Sequence, residues 1–221
     1  RRRHHLEDPP PPAVTPPRTG DVYFTNNITA NPIAWTSLNS PTAATTGTGS
    51  VKVANLSGFP NVFYHSGAGN PENRGLIFRS TLVGTTAAPG TNWTPLTLPG
   101  GVGSVTAWDV DPNNGNRIVI AGITPGLNTF QIHMTTDFGT SWNRLNNLEN
   151  AMLSPGGVAT FRPLYNQGPT RFTAFGTFWQ PSLLKFNPLD STTIIAGAMD
   201  AGVFLSLDDG ANWQSISNAA L

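Results

Sequence analysis

Two stretches of this chain obey one eight-residue rule. Thr135-Thr136-Asp137-Phe138-Gly139-Thr140-Ser141-Trp142 and Ser206-Leu207-Asp208-Asp209-Gly210-Ala211-Asn212-Trp213 both read hydroxyl, any, Asp, any, Gly, any, any, Trp. The rule describes a hairpin turn. Gly139 and Gly210 supply a residue at φ > 0 without steric cost. Asp137 and Asp208 fold their carboxylates back onto nearby backbone N–H groups, and Thr135 and Ser206 add a hydroxyl to the same knot. Trp142 and Trp213 then return on the following strand as anchors, each able to bury on the order of 200 Å².

The turns sit in a longer shared pattern. Before the first come Val105 to Pro112, a turn at Asn113-Asn114-Gly115, and the apolar run Ile118 to Gly122. Before the second come Leu183 to Pro188, a turn at Leu189-Asp190, and Thr193 to Gly197. Short β-branched runs bounded by Pro, Gly and Asn read as strands. A weaker copy runs through Val51–Ala54, Asn61–Tyr64 and Leu76–Ser80 to Trp93, and half a copy through Val22–Thr25 and Trp35–Leu38. The apolar periodicity and the repeat together predict antiparallel four-stranded units.

The eight-residue rule resembles the Asp-box, or bacterial neuraminidase repeat, of sialidase-like, xyloglucanase-like and sortilin-like proteins. The resemblance covers most of 20–221, most closely 103–145 and 182–217. It implies an all-β fold, a β-propeller of four-stranded antiparallel blades, with Thr135, Asp137, Gly139, Trp142, Ser206, Asp208, Gly210 and Trp213 in structural roles. A blade takes about 40–50 residues and propellers close with about 4–8 blades. Residues 21–221 therefore hold about three and a half blades by this repeat length, with units near 21–38, 50–98, 103–145 and 158–217. The expectation is a partial propeller, completed by further chain or by another molecule.

Residues 1–20 are a separate segment. Arg1-Arg2-Arg3-His4-His5 leads into Pro9–Pro12, Pro16 and Pro17, a basic tip on a polyproline-type linker expected to be disordered. The rest is nearly uncharged: the formal net charge is zero and charged residues are 11% of the chain. That gives no support to nucleic-acid binding. The absence of cysteine removes disulfides and thiolate metal sites. No metal or cofactor is expected, and no run is long and apolar enough to span a membrane as a helix. Abundant Thr, Asn and Gly with scarce Lys suit an extracellular or periplasmic protein.

Chemistry at a glycosidic bond needs two carboxyl groups about 5–10 Å apart. Asp137 and Asp208 are committed to the boxes, Asp111 and Asp190 to turns, and Asp209 occupies the variable box position, expected to face solvent. Asp109, Asp200, Glu72, Glu149 and Asp21 remain. Asp200 heads an Asp-x-Gly-x-aromatic run with Gly202 and Phe204, which resembles the setting of a catalytic acid in xyloglucan-active Asp-box glycosidases. Asp109, beside an apolar strand, is its candidate partner or else a buried structural acid. Phe161-Arg162-Pro163 is similar to part of the sialidase Phe-Arg-Ile-Pro element, yet it follows a box where that family places it ahead of the first. The aromatic-rich insertion at 146–181 offers Trp179 and Tyr165, with Arg162, as sugar-gripping candidates. The carboxylates left unassigned are few. A glycan- or protein-binding scaffold is therefore expected ahead of a glycoside hydrolase segment using Asp200.

Overall fold

The computed structural model describes residues 22–25, 27–38, 40, 48–56, 59–66, 76–81, 93–124, 129–153, 181–198 and 202–216. Strands β1 (Tyr23–Phe24) and β2 (Thr36–Ser37) form a two-stranded sheet. Three four-stranded antiparallel meanders come next. The first comprises β3 (Thr48–Leu56), β4 (Phe59–Ser66), β5 (Ile77–Thr81) and β6 (Trp93–Pro95). The second comprises β7 (Ser104–Asp111), β8 (Asn114–Thr124), β9 (Thr129–Thr135) and β10 (Asn143–Arg144), and leads into helix α1 (Asn146–Leu153). The third comprises β11 (Pro181–Asn187), β12 (Asp190–Ala198), β13 (Gly202–Ser206) and β14 (Gln214–Ser215). This is an arc of β-propeller blades.

The blades stack face to face, and the middle one is apolar on both faces. Ile118 and Ile120 on β8 join Trp108 and Val110 of β7 in a core shared with Ala54, Ile77 and Leu96 of the first blade. Their neighbours Val119 and Ala121 point the other way, into a core with Leu184, Phe186 and Phe204 of the third. Burial on both faces explains why Ile118–Ala121 is an unbroken apolar run and not an alternating one. Substantial contacts between strands of different blades always involve a first strand, β3, β7 or β11, so the blades converge along these three.

One backbone bond recurs at the outer edge of every sheet. Leu38, Leu96 and Leu145 donate N–H to the carbonyls of Val22, Ile77 and Ile132 at 2.8 Å, and Ile216 donates to Val203 at 2.9 Å. The bond identifies β1–β2 as the outer pair of a blade. The three leucines are buried, at 0%, 3% and 3% exposure, whereas Ile216 is 47% exposed, with no further sheet packed on it among the described residues.

The turns between third and fourth strands form a tight knot. The Thr135 hydroxyl donates to Asp137 Oδ1 at 2.7 Å and accepts the Gly139 N–H at 2.9 Å. Asp137 also accepts the Ser141 N–H at 2.9 Å and its hydroxyl at 2.6 Å. Ser206, Asp208, Gly210 and Asn212 repeat these bonds at 2.9, 2.9, 2.8 and 2.7 Å. The Ser141 hydroxyl and N–H, with Thr135, hold the Asp137 carboxyl at about 2, below the usual 3.8. Asn212 and Ser206 push Asp208 the same way. Two successive residues have φ > 0 in each turn: Phe138 at 54° with Gly139 at 81°, and Asp209 at 61° with Gly210 at 82°. A type I′ hairpin turn requires such a pair.

The non-glycine member of each pair is engaged by an arginine from the preceding blade. The Arg79 guanidinium lies 3.6 Å from the Phe138 ring centroid, and Arg117 forms an ion pair with Asp209. The Asp209 side chain is 44% exposed, in keeping with the sequence expectation that it faces solvent, and the ion pair is an addition to it. The tryptophans remain partly exposed, with Trp142 donating to the Thr97 carbonyl of the first blade and Trp213 to Gly210, both at 2.9 Å.

The two glycines differ in what surrounds them. A Cβ on Gly139 would lie 2.8 Å from the Thr97 carbonyl oxygen and 2.9 Å from Leu96 Cδ1, but one on Gly210 would come no nearer than 3.4 Å to any neighbour, the nearest being Leu145 Cδ2. Gly139→Ala should cost about 3 kcal/mol, from left-handed strain plus the backbone clash. Gly210→Ala should cost about 1 kcal/mol, from strain alone. Urea unfolding of the two variants checks the order, and equal or reversed losses would contradict it.

Candidate functional site

Three first strands bring one charged side chain each to a common point. Lys52 of β3, Asp109 of β7 and Lys185 of β11 occupy neighbouring blades and meet at Asp109 Oδ1. Lys52 pairs with that oxygen directly and Lys185 Nζ lies 3.4 Å from it, while Oδ2 accepts the Phe186 N–H at 3.0 Å. The side chains of Lys52, Asp109 and Lys185 are 17%, 9% and 50% exposed. Lys52 also lies 5.2 Å from the ring centroid of Trp108, whose Nε1 is fixed by donating to Ser50 Oγ at 3.0 Å. Burial lowers the Lys52 pKa from its usual 10.5; Asp109 opposes the shift and Lys185 reinforces it.

A second ionic group lies at the turns beside these strands. Asp111 is fully buried and accepts from Arg117 Nη1 at 2.8 Å, Ser191 Oγ at 3.0 Å and the Asn113 N–H at 2.9 Å. Arg117 also donates to the Ser191 carbonyl at 3.1 Å. Its guanidinium thus ties the second blade to the third through Asp111, Ser191 and Asp209. Nearby, the Asn113 side chain donates to the Pro188 carbonyl at 2.9 Å. Asp190 is held by Thr192 and Thr193, whose hydroxyls and the Thr192 N–H lower its pKa.

Glu149 is also internal. It is 5% exposed on α1, accepts the Ile132 N–H at 2.8 Å, and takes a two-pronged Arg144 guanidinium at 2.8–3.1 Å. The helix is a departure from the sequence expectation, which makes 146–181 an aromatic insertion. Leu145, Leu148 and Met152, which pack into the adjoining core, are the periodic signal that could have revealed it. His133, 6% exposed, has Nε2 2.9 Å from Gln131 Oε1 and presents its ring edge-on to Trp142 at 6.3 Å. Burial, with Arg144 assisting and Glu149 opposing, lowers its pKa.

Of the candidate acids named from sequence, Asp109 and Glu149 lie among the described residues, and the oxygens of both are occupied. Asp200, Arg162, Tyr165 and Trp179 lie outside the described residues, as do Asp21 and Glu72. Among the described residues, no group of three His, Asp or Glu side chains could hold a metal ion, and no helix is long and apolar enough to cross a membrane. The convergence on Asp109 was missed from sequence, though one signal was present: Lys52 and Lys185, both on strands that begin a repeat, are the only lysines of the chain.

No family model and no curated protein matches the chain. Solved structures similar to it include a GH74 enzyme of Niastella koreensis (18% identity, 81% of this chain, 25% of that one, TM-score 0.48). The GH74 xyloglucanase of Xanthomonas campestris matches at 16% identity over 80% of this chain and 23% of that one, TM-score 0.43. An ancestral GH74 enzyme matches at 19% identity over 77% and 18%, TM-score 0.41. The chain thus spans a quarter or less of the length of these structures. With TM-scores of 0.41–0.48, the likeness carries no argument about this chain's activity.

Asp109, its side chain 9% exposed, is shared by two ammonium groups. Asp109→Asn should destabilise the fold by about 3 kcal/mol by leaving those charges facing each other. The additional change Lys52→Met should recover part of the loss. Urea midpoints measure both effects; an Asp109→Asn variant within about 0.5 kcal/mol of the parent would contradict the assignment.

Proposed function

We propose that this chain is a non-catalytic arc of a larger, secreted β-propeller, a scaffold that presents its loops to a glycan or protein ligand. The observation that carries this reading is the state of the acids. Asp109, Asp111, Asp137, Glu149, Asp190, Asp208 and Asp209 are the described carboxylates, and each is bonded to side chains or backbone N–H groups of the chain itself. Glycoside hydrolysis asks for two carboxyl groups facing one sugar about 5–10 Å apart. Acids bound into turns and blade contacts serve stacking instead.

The remaining blades come from further residues of the same protein or from a partner, and an extracellular or periplasmic setting suits the composition. The alternative, a segment of a xyloglucanase-like or sialidase-like hydrolase, rests on Asp200, which lies outside the described residues. Its partner acid would lie at Asp109 or in a blade outside this chain, and Asp109 is already engaged by Lys52, Lys185 and Phe186. Purified protein incubated with xyloglucan oligosaccharides and with a sialyl glycoside should release no product. The Asp200→Asn variant should be indistinguishable from it. Product release that disappears in Asp200→Asn would overturn the scaffold reading in favour of the hydrolase.

A further inference from the structure

We infer that Lys52 and Lys185 form a binding site for a single carboxylate group at the line where the three blades converge. Lysines ordinarily scatter over a protein surface, with long stems flexible and head groups hydrated. Here the chain has two, placed 133 positions apart in sequence (185 minus 52), and both meet at one oxygen atom. Folding has to bring three first strands together to make the cluster, so it is a property of the assembled arc.

Among the described residues, the charge at this point does not balance. Two ammonium groups share one carboxylate oxygen, and Asp109 Oδ2 is turned to the Phe186 N–H. The nearest acid on the same strand, Asp111, is bonded to Arg117, Ser191 and the Asn113 N–H. The contacts at this point, among the described residues, join two cations to one anion. Lys52 is held in place on one side by the Trp108 ring and on the other by Asp109, which fixes its position before any ligand arrives. Lys185, half exposed, supplies the open side. An incoming monoanion with two oxygens accepts from both ammonium groups, relieves their mutual repulsion and completes a charge-neutral set of two cations and two anions.

A planar carboxylate fits this role better than a dianion, since a second negative charge would again leave the group unbalanced beside Asp109. The carboxylate has two sources that share this chemistry, a small free acid or the acid group of a uronic sugar. The binding groups are the two lysines, with Asp109 serving to hold Lys52 in position.

The two lysines make the test direct. Protein grown with lysine isotopically labelled at Cε gives one resonance per lysine, assigned with Lys185→Met. Sodium acetate, sodium glucuronate, glucose and sodium chloride are titrated separately, the salts at matched ionic strength. Saturable shifts of both resonances with acetate and glucuronate, absent with glucose and with chloride, are the expected result. Equal affinity for the two acids identifies the carboxylate alone as the recognised group, and tighter binding of glucuronate adds the sugar ring. In Lys185→Met the affinity read at Lys52 should fall about tenfold, the loss of one charged hydrogen bond, and in Lys185→Arg it should be largely retained. Thermal melting of both variants verifies folding. Shifts that never saturate, shifts equal to those with chloride, or parental affinity in a folded Lys185→Met variant would each overturn the proposal.

Discussion

The fold depends on one small contact made twice: a hydroxyl on the third strand of a blade accepting the N–H of the turn glycine. Thr135 does this for Gly139 and Ser206 for Gly210, both at 2.9 Å. The bond closes the turn on the hydroxyl side while the aspartate closes it on the other. Closing the turn also gives it a direction. The glycine is brought against the preceding blade, close enough at Gly139 that no Cβ fits, and the tryptophan is delivered beside it.

Stacking then results from sheets that are apolar on two faces and sealed by polar contacts at their rims. Arg79 reaches Asn116 at 3.0 Å and the Phe138 ring, and Arg117 reaches Asp111, Ser191 and Asp209. Each of these arginines spans from one blade to the next and attends to the residue that the turn forces into φ > 0. Local backbone strain of about 1 kcal/mol is thus placed where an inter-blade contact offsets it. The same economy governs the acids, which act as ties between turns and blades. A chain poor in charge has used most of its described carboxylates to hold itself together.

The parts legible in the sequence are those made by residues close together in the chain. The box spacing declared the hairpin turns, and the runs at 105–111, 117–122, 183–187 and 193–197 declared strands. The partners of Asp209 and Asp109 were not legible, because they are separated by 92 positions for Arg117 and 76 for Lys185 and meet only through blade stacking. Helix α1 was hidden for another reason. Asn146-Asn147-Leu148-Glu149-Asn150 has little intrinsic helix preference, and the segment is held by Leu148 in the core and Glu149 on the Ile132 N–H, a tertiary override that composition does not announce. Asp111 and Asp190 were readable as turn acids because they bond N–H groups two residues onward.

Amide hydrogen exchange at Gly139 and Gly210 tests the central claim most directly. If the hydroxyl-closed turns are integral to blade stacking, both amides should exchange as slowly as those of the buried strand residues Ile132 and Ala196. They should also speed up together with those strands as denaturant is added. Fast exchange at Gly139 and Gly210 while the strand amides stay protected would show that the turns are independent of the stack. The blades would then owe their stacking to the apolar faces alone, and the boxes would not be their anchors.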